Sequence, residues 1–144
     1  MEVLYTAHAS ATGGRHGKAA TSDGRLQVSL TPPTMPNRPE HGTDPEQLFA
    51  CGYAACFGGA TEFAAKQLSI ELTAPVQVDS SVSLLKRPEG GFIIGVDLVV
   101  HLQGVDEEQG KIVVEKAHTI CPYSNATRGN ITVNTTVVAV PAVA

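Results

Sequence analysis

Three cysteines carry the most reactive chemistry available to this chain: Cys51, Cys56 and Cys121. A cysteine thiolate can attack one oxygen of a peroxide and become a sulfenic acid. A second cysteine can then condense with it to a disulfide, which guards the first sulfur against irreversible over-oxidation. That chemistry needs two cysteines whose Cα atoms come within ~7 Å. Cys51 and Cys56 lie in one Ala-rich stretch that reads as a helix. At ~1.5 Å and ~100° per residue they sit ~140° apart and over ~8 Å distant, so they cannot bridge without breaking the helix. Any intramolecular disulfide therefore joins Cys121 to Cys56 or to Cys51. Cys56 has Gly52 and Ala60 one turn to either side, leaving room for a substrate or a partner strand. Cys121 precedes Pro122 and falls at a helix exit. A free cysteine more often packs as a small buried hydrophobe, and Cys51 is assigned that role.

A reactive thiol needs its pKa lowered, and a fixed positive charge does this best. Arg15 is the leading candidate, because it follows two glycines in a turn that could present it inward. The plainer alternative is a solvated turn arginine. A buried arginine would need an anion, which Glu46 could supply. Taken alone, Glu46 is better explained as the third residue of a capping box with Thr43. Glu46 and Cys56 are also ~15 Å apart along a straight helix. A site that used both would be assembled across elements or across subunits.

Other motifs are fragments. His118 and Cys121, with Cys56, could form part of a zinc site, but the paired-cysteine spacing of such sites is missing. The run Gly13-Gly14-Arg15-His16-Gly17-Lys18 lacks the first glycine and the final Ser/Thr of a phosphate loop. No Gly-x-Ser-x-Gly hydrolase elbow is present.

The elements that must position these residues follow from pattern. Residues 2–10 alternate as a strand, Lys18–Thr21 begins a return strand, and Arg25–Leu30 alternates after a Ser22-Asp23-Gly24 turn. Four prolines make residues 31–42 a loop. Thr43 or Asp44 caps a helix that begins near Pro45 and runs to about Leu68, apolar nearly all round and so buried on most sides. Gly52, Gly58 and Gly59 would let another backbone approach it. Residues 70–85 read as one or two strands. Phe92 to Leu102 alternate as the clearest strand of the chain. Asp106 caps a second helix to about His118, with Val113, Ala117 and Ile120 as its apolar stripe, and residues 131–140 form a last strand. Helices placed among antiparallel strands predict an α+β fold rather than a parallel βαβ one.

Bulk properties bound the function. A chain of 144 residues, 42% hydrophobic and 17% charged, suits one globular domain. Its net charge of -4 argues against nucleic acid as a partner. No apolar run suits a membrane span. The start, MEVLYTAHAS, carries no signal-peptide pattern, so a cytoplasmic location is expected, where a disulfide is more often catalytic than structural.

The stretch Gly42-Thr43-Asp44-Pro45-Glu46-Gln47-Leu48-Phe49, followed by Gly52-Tyr53-Ala54-Ala55-Cys56-Phe57, resembles the first signature of the organic hydroperoxide resistance proteins of the OsmC/Ohr superfamily. Cys121-Pro122-Tyr123-Ser124-Asn125-Ala126 resembles the second signature, and Ala11-Thr12-Gly13-Gly14-Arg15 the N-terminal segment. The resemblance covers essentially the whole chain, 1–144, as a single domain. It implies an α+β OsmC-like fold with antiparallel sheets, two main helices including a central buried one, and an intertwined homodimer. It implies a peroxidase that reduces alkyl and fatty-acid hydroperoxides in oxidative stress defence. By position Cys56 becomes the peroxidatic cysteine and Cys121 the resolving one. Arg15 becomes the group that activates the thiolate and Glu46 the group that orients Arg15. No cofactor or metal is implied; the reductant would be dihydrolipoyl groups on a lipoylated protein. Cys51 departs from the family, where Ala is usual, and so does the loose Gly58-Gly59 pair. Two other readings compete: a lipid-carrying binding module with incidental cysteines, and a small zinc protein using Cys56, Cys121 and His118.

Overall fold

The computed structural model describes residues 1–143. The chain forms two compact units, Met1–Leu48 and the remainder from Phe49 onward.

The first unit holds a three-stranded antiparallel sheet in the order β1 (Ala9–Thr12), β2 (Lys18–Thr21), β3 (Gln27–Ser29). Residues 2–8, expected to be strand, are not. The consecutive Val3, Leu4 and Tyr5 side chains are all exposed, and without a covered face a β-prone sequence alone does not hold a strand. Between β1 and β2 the chain turns through a short 3-10 segment, Gly14–His16, entered at Gly13 with φ 82°. That left-handed value favours glycine. Leu30 is buried and bridges Thr43, which closes the proline-rich loop back onto the sheet.

Helix α1 (Pro45–Gln67) begins in this unit and continues into the second. Asp44 caps it by accepting the Gln47 backbone N–H at 2.8 Å. The expected Thr43–Glu46 capping box does not form. The Thr43 hydroxyl donates to the Gln47 side chain instead, which frees the Glu46 carboxylate for another partner.

The second unit contains β4 (Gln77–Lys86), β5 (Phe92–Gln103), helix α2 (Glu107–Ile120), the short helix α3 (Pro122–Thr127) and β6 (Val133–Val140). The sheet order is β4-β5-β6. β4 and β5 form an antiparallel hairpin through a tight turn closed between Arg87 and Gly91. β6 pairs with β5 in parallel, so α2 and α3 make a crossover between neighbouring strands. That one pair departs from the antiparallel expectation inside an otherwise α+β arrangement.

From Val96 onward every second residue of β5 (Val96, Leu98, Val100 and Leu102) is buried, as its alternation predicts, whereas Phe92 at the start of the strand is exposed and Ile94 only half-buried. They form a core with Tyr53, Phe57 and Ala64 of α1 and Val113 and Ala117 of α2. α2 starts with a complete capping box of Asp106 and Gln109. At Gly110 an added Cβ would lie 3.0 Å from Val137, so glycine permits the close approach of α2 to β6. Among the described residues no helix is long and apolar enough to cross a membrane.

Candidate active site

Cys121 closes α2 and opens α3. Pro122 explains the break. The residue before a proline is driven to extended ψ, and Cys121 has ψ 119°. Pro122 also lacks the N–H that would have bonded the His118 carbonyl four residues back. Two side chains of the α3 region satisfy the open end of α2 instead. The Arg128 guanidinium donates to the His118 carbonyl, and the Asn125 amide donates to the Thr119 carbonyl at 3.2 Å. The elbow points the fully buried Cys121 thiol at α1, where its Sγ lies 3.5 Å from Cys56 Sγ. Both thiols are free. A disulfide needs ~2.05 Å between sulfurs, so bonding requires an approach of only ~1.5 Å.

Burial pushes the Cys56 thiol above its ordinary value. The Tyr123 backbone N–H pulls it the other way, and the adjacent Cys121 sulfur raises it again. Beside the thiols Tyr123 packs against Phe49 and Tyr53, with ring centroids 5.6 and 5.5 Å away. A Cβ at Gly52 would lie 2.6 Å from the Tyr123 hydroxyl. The room expected at Gly52 for a substrate is therefore taken by the chain's own tyrosine. A largely apolar cleft of about 530 Å³ is lined by Pro122 and Tyr123 together with Phe49, Ile94, Ala126 and Ile131.

Cys51 is exposed, not buried as expected. Helix α1 is apolar on most faces, so its sequence does not say which face the core takes. The core takes the Tyr53–Phe57–Ala60–Ala64 face, and Cys51 lies off it.

In the first unit Arg15 and Glu46 meet in a two-pronged ion pair at 2.9 and 2.6 Å, although 31 residues separate them. Through these bonds Arg15 holds the Glu46 carboxyl below its ordinary value, and Glu46 keeps Arg15 firmly charged. A second pair, Arg38–Asp44 at 2.9 Å, lies beneath the start of α1. Arg38, in the proline-rich loop, carried no sequence signal.

His118 is no free metal ligand. Its Nδ1 faces the Ser124 hydroxyl and its Nε2 the Thr135 hydroxyl, each at 2.9 Å, and burial lowers its pKa. Among the described residues no three His, Cys, Asp or Glu side chains come together as a metal cluster. Sequence reasoning also missed α3, although proline at its first position is a recognised helix start.

Fold and site together define an α+β protein with a paired-thiol centre under a proline elbow. Residues 38–136 match the family of OsmC-like proteins. The organic hydroperoxide resistance protein of Xanthomonas axonopodis pv. citri (strain 306) is 52% identical over 136 residues, covering 94% of this chain and 95% of that protein. The organic hydroperoxide resistance protein OhrB of Bacillus subtilis (strain 168) is 47% identical over 132 residues, covering 91% and 96%. Among solved structures, the crystal structure of Bacillus subtilis OhrB superposes with a TM-score of 0.88 at 45% identity, covering 94% of this chain and 100% of that one. The chain belongs to the OsmC-like family, within its organic hydroperoxide resistance group.

Proposed function

We propose that this chain is a cysteine-based peroxidase that reduces organic hydroperoxides to alcohols in oxidative stress defence. The observation that carries the reading is the 3.5 Å separation of the Cys56 and Cys121 sulfurs. The names of the relatives, each an organic hydroperoxide resistance protein, support the substrate class.

The Cys56 thiolate attacks the outer peroxide oxygen. The O–O bond breaks, the alkoxide takes a proton and leaves as the alcohol, and Cys56 is left as a sulfenic acid. The Cys121 thiolate then attacks Cys56 Sγ. The S–O bond breaks and the hydroxide leaves as water after taking a proton, giving the Cys56–Cys121 disulfide. Cys121 is the better resolving partner than Cys51, because it already faces Cys56. Two electrons from a dithiol restore the pair, and dihydrolipoyl groups on a lipoylated protein are the reductant the family resemblance implies.

Burial alone works against ionising Cys56. In the working enzyme, taken as a cytoplasmic homodimer, Arg15 supplies the positive charge that favours the thiolate, and Glu46 orients Arg15 through its two hydrogen bonds. The apolar cleft beside Pro122 and Tyr123 suits an alkyl or fatty-acid chain better than hydrogen peroxide.

The test is a peroxidase assay that compares an alkyl hydroperoxide with hydrogen peroxide, with dihydrolipoamide and then glutathione as reductant. Faster turnover of the alkyl substrate with dihydrolipoamide is expected. Absence of thiol consumption with either peroxide would overturn the reading.

A further inference from the structure

The thiols are bracketed by a polar chain, buried at Tyr53 and Ser124 and half-buried at His118, with no part in the chemistry described above. His118 lies three residues before Cys121, and Ser124 three residues after it. The two side chains meet across the elbow, Nδ1 to Oγ, at 2.9 Å. The Ser124 hydroxyl also bonds the Tyr53 hydroxyl at 2.8 Å, and Tyr53 reaches Thr127 of α3 at 3.2 Å. Tyr53 and Ser124 are buried, so each unsatisfied hydroxyl would be costly. On its far side His118 is held to β6 by Thr135 at 2.9 Å. The chain therefore ties α1, the end of α2, the start of α3 and β6 to one point, directly behind Cys121. It borders a cavity of about 310 Å³, so this side of the elbow is not packed solid and depends on these bonds for its position.

We infer that Tyr53, Ser124 and His118 form a positioning latch that holds the Cys121 elbow at striking distance from Cys56 and so sets the rate of disulfide closure. None of the three touches the peroxide. The role rests on the peroxidase reading for its kinetic consequence, while the latch itself is a property of the elbow. Loss of the latch lets Cys121 sample positions farther from Cys56. The sulfenic acid then lives longer and meets a second peroxide before it is resolved, which converts it to the sulfinic acid.

The experiment uses the full chain with Ser124→Ala and Tyr53→Phe, and with Ser124→Thr as the conservative variant that keeps a hydroxyl. Rapid mixing with cumene hydroperoxide separates sulfenic acid formation, read by trapping with a cyclic 1,3-dione, from disulfide closure, read by free-thiol count. Closure is expected to slow about tenfold in Ser124→Ala, the order that follows from stranding one buried hydrogen-bond partner. Sulfenic acid formation should change by less than about twofold, and Ser124→Thr should recover most of the closure rate. A second readout is independent of turnover. Hydrogen exchange of the α3 amides, such as Asn125 N–H bonded to the Cys121 carbonyl, should quicken in Ser124→Ala. Equal slowing of both chemical steps, or unchanged closure with unchanged α3 exchange, would overturn the latch. If the unmodified chain consumes no thiols with the hydroperoxide while α3 exchange still quickens in Ser124→Ala, the peroxidase reading fails and the latch stands.

Discussion

Cys121 Sγ stands 3.5 Å from Cys56 Sγ although 65 residues separate them, and one of the two thiols is fully buried. The closeness is made by a proline. Pro122 stops α2, turns Cys121 to an extended ψ and starts α3, so the thiol projects from an elbow and not from a helix face. A thiol at an elbow can travel ~1.5 Å toward its partner without breaking a helical ladder. One equivalent of alkyl hydroperoxide should therefore consume two thiols, and peptide mapping should find Cys56 joined to Cys121. Cys56→Ser should abolish turnover. Cys121→Ser should complete one turnover and then accumulate sulfinic acid by mass spectrometry. A bridge that includes the exposed Cys51 would sink this assignment.

The pH dependence of Cys56 separates two influences. Burial raises its pKa, so within its own unit the thiol ionises above the ordinary value. The positive charge proposed for Arg15 acts in the opposite direction. The rate of Cys56 alkylation by iodoacetamide follows the thiolate fraction and rises with pH through the thiol pKa. With Arg15 in place the inflection should lie at lower pH than in Arg15→Met. Superimposable profiles would remove Arg15 from the activation of Cys56.

The Arg15–Glu46 pair also makes a stability prediction. The folded-state pKa of Glu46 is lowered, first by its hydrogen bonds from Arg15. Its contribution is therefore present above the ordinary carboxylate pKa and is lost as pH falls through the lower folded value. Arg15 is 43% exposed, so solvent screening keeps the contribution small despite the two-pronged geometry. Glu46→Gln should cost on the order of 0.5–1 kcal/mol near neutral pH in denaturant unfolding. The difference from the unmodified chain should fade in acid. A gap that widens as pH falls would contradict the ion pair.

Sequence legibility followed the range of the interaction. β5 declared itself because one of its faces is buried in this chain, and period-two alternation records that directly. The start of α1 was legible from Asp44 and Pro45, since capping acts over three residues. What failed was set at a distance. The parallel pairing of β6 with β5 depends on where the α2–α3 crossover delivers the chain, which no local pattern encodes. Glu46 taken alone suggests a capping residue, and its pairing with Arg15, 31 residues away, was reached through the family resemblance and not through any local pattern. The burial expected of Cys51 rests on the usual habit of free cysteines, and because α1 is apolar on nearly every side, periodicity marks no core face that would place Cys51 outside it. The pairing of Cys121 with Cys56 was narrowed by helix geometry, which excluded Cys51–Cys56, and was decided by the family resemblance.

Gly52 offers the most direct test of how tightly the elbow is packed. It lies one turn before Cys56, and the Tyr123 hydroxyl occupies the space of its missing Cβ at 2.6 Å. In an isolated helix Gly→Ala would stabilise by about 1 kcal/mol. Here the added methyl must push the Tyr123 ring, which is held between Phe49 and Tyr53. The ring sits two residues after Cys121, so its displacement is transmitted to the elbow. Gly52→Ala should stay folded, with a melting temperature changed by only a few degrees, because the propensity gain and the steric cost oppose each other. Disulfide closure should slow severalfold. Removing the tyrosine hydroxyl as well, in Gly52→Ala with Tyr123→Phe, relieves the nearest contact and should restore part of the rate. A double-mutant cycle in closure rate should then give a coupling between the two sites that is absent for substitutions far from the elbow. Strict additivity of the two changes would mean that Tyr123 does not transmit helix packing to Cys121.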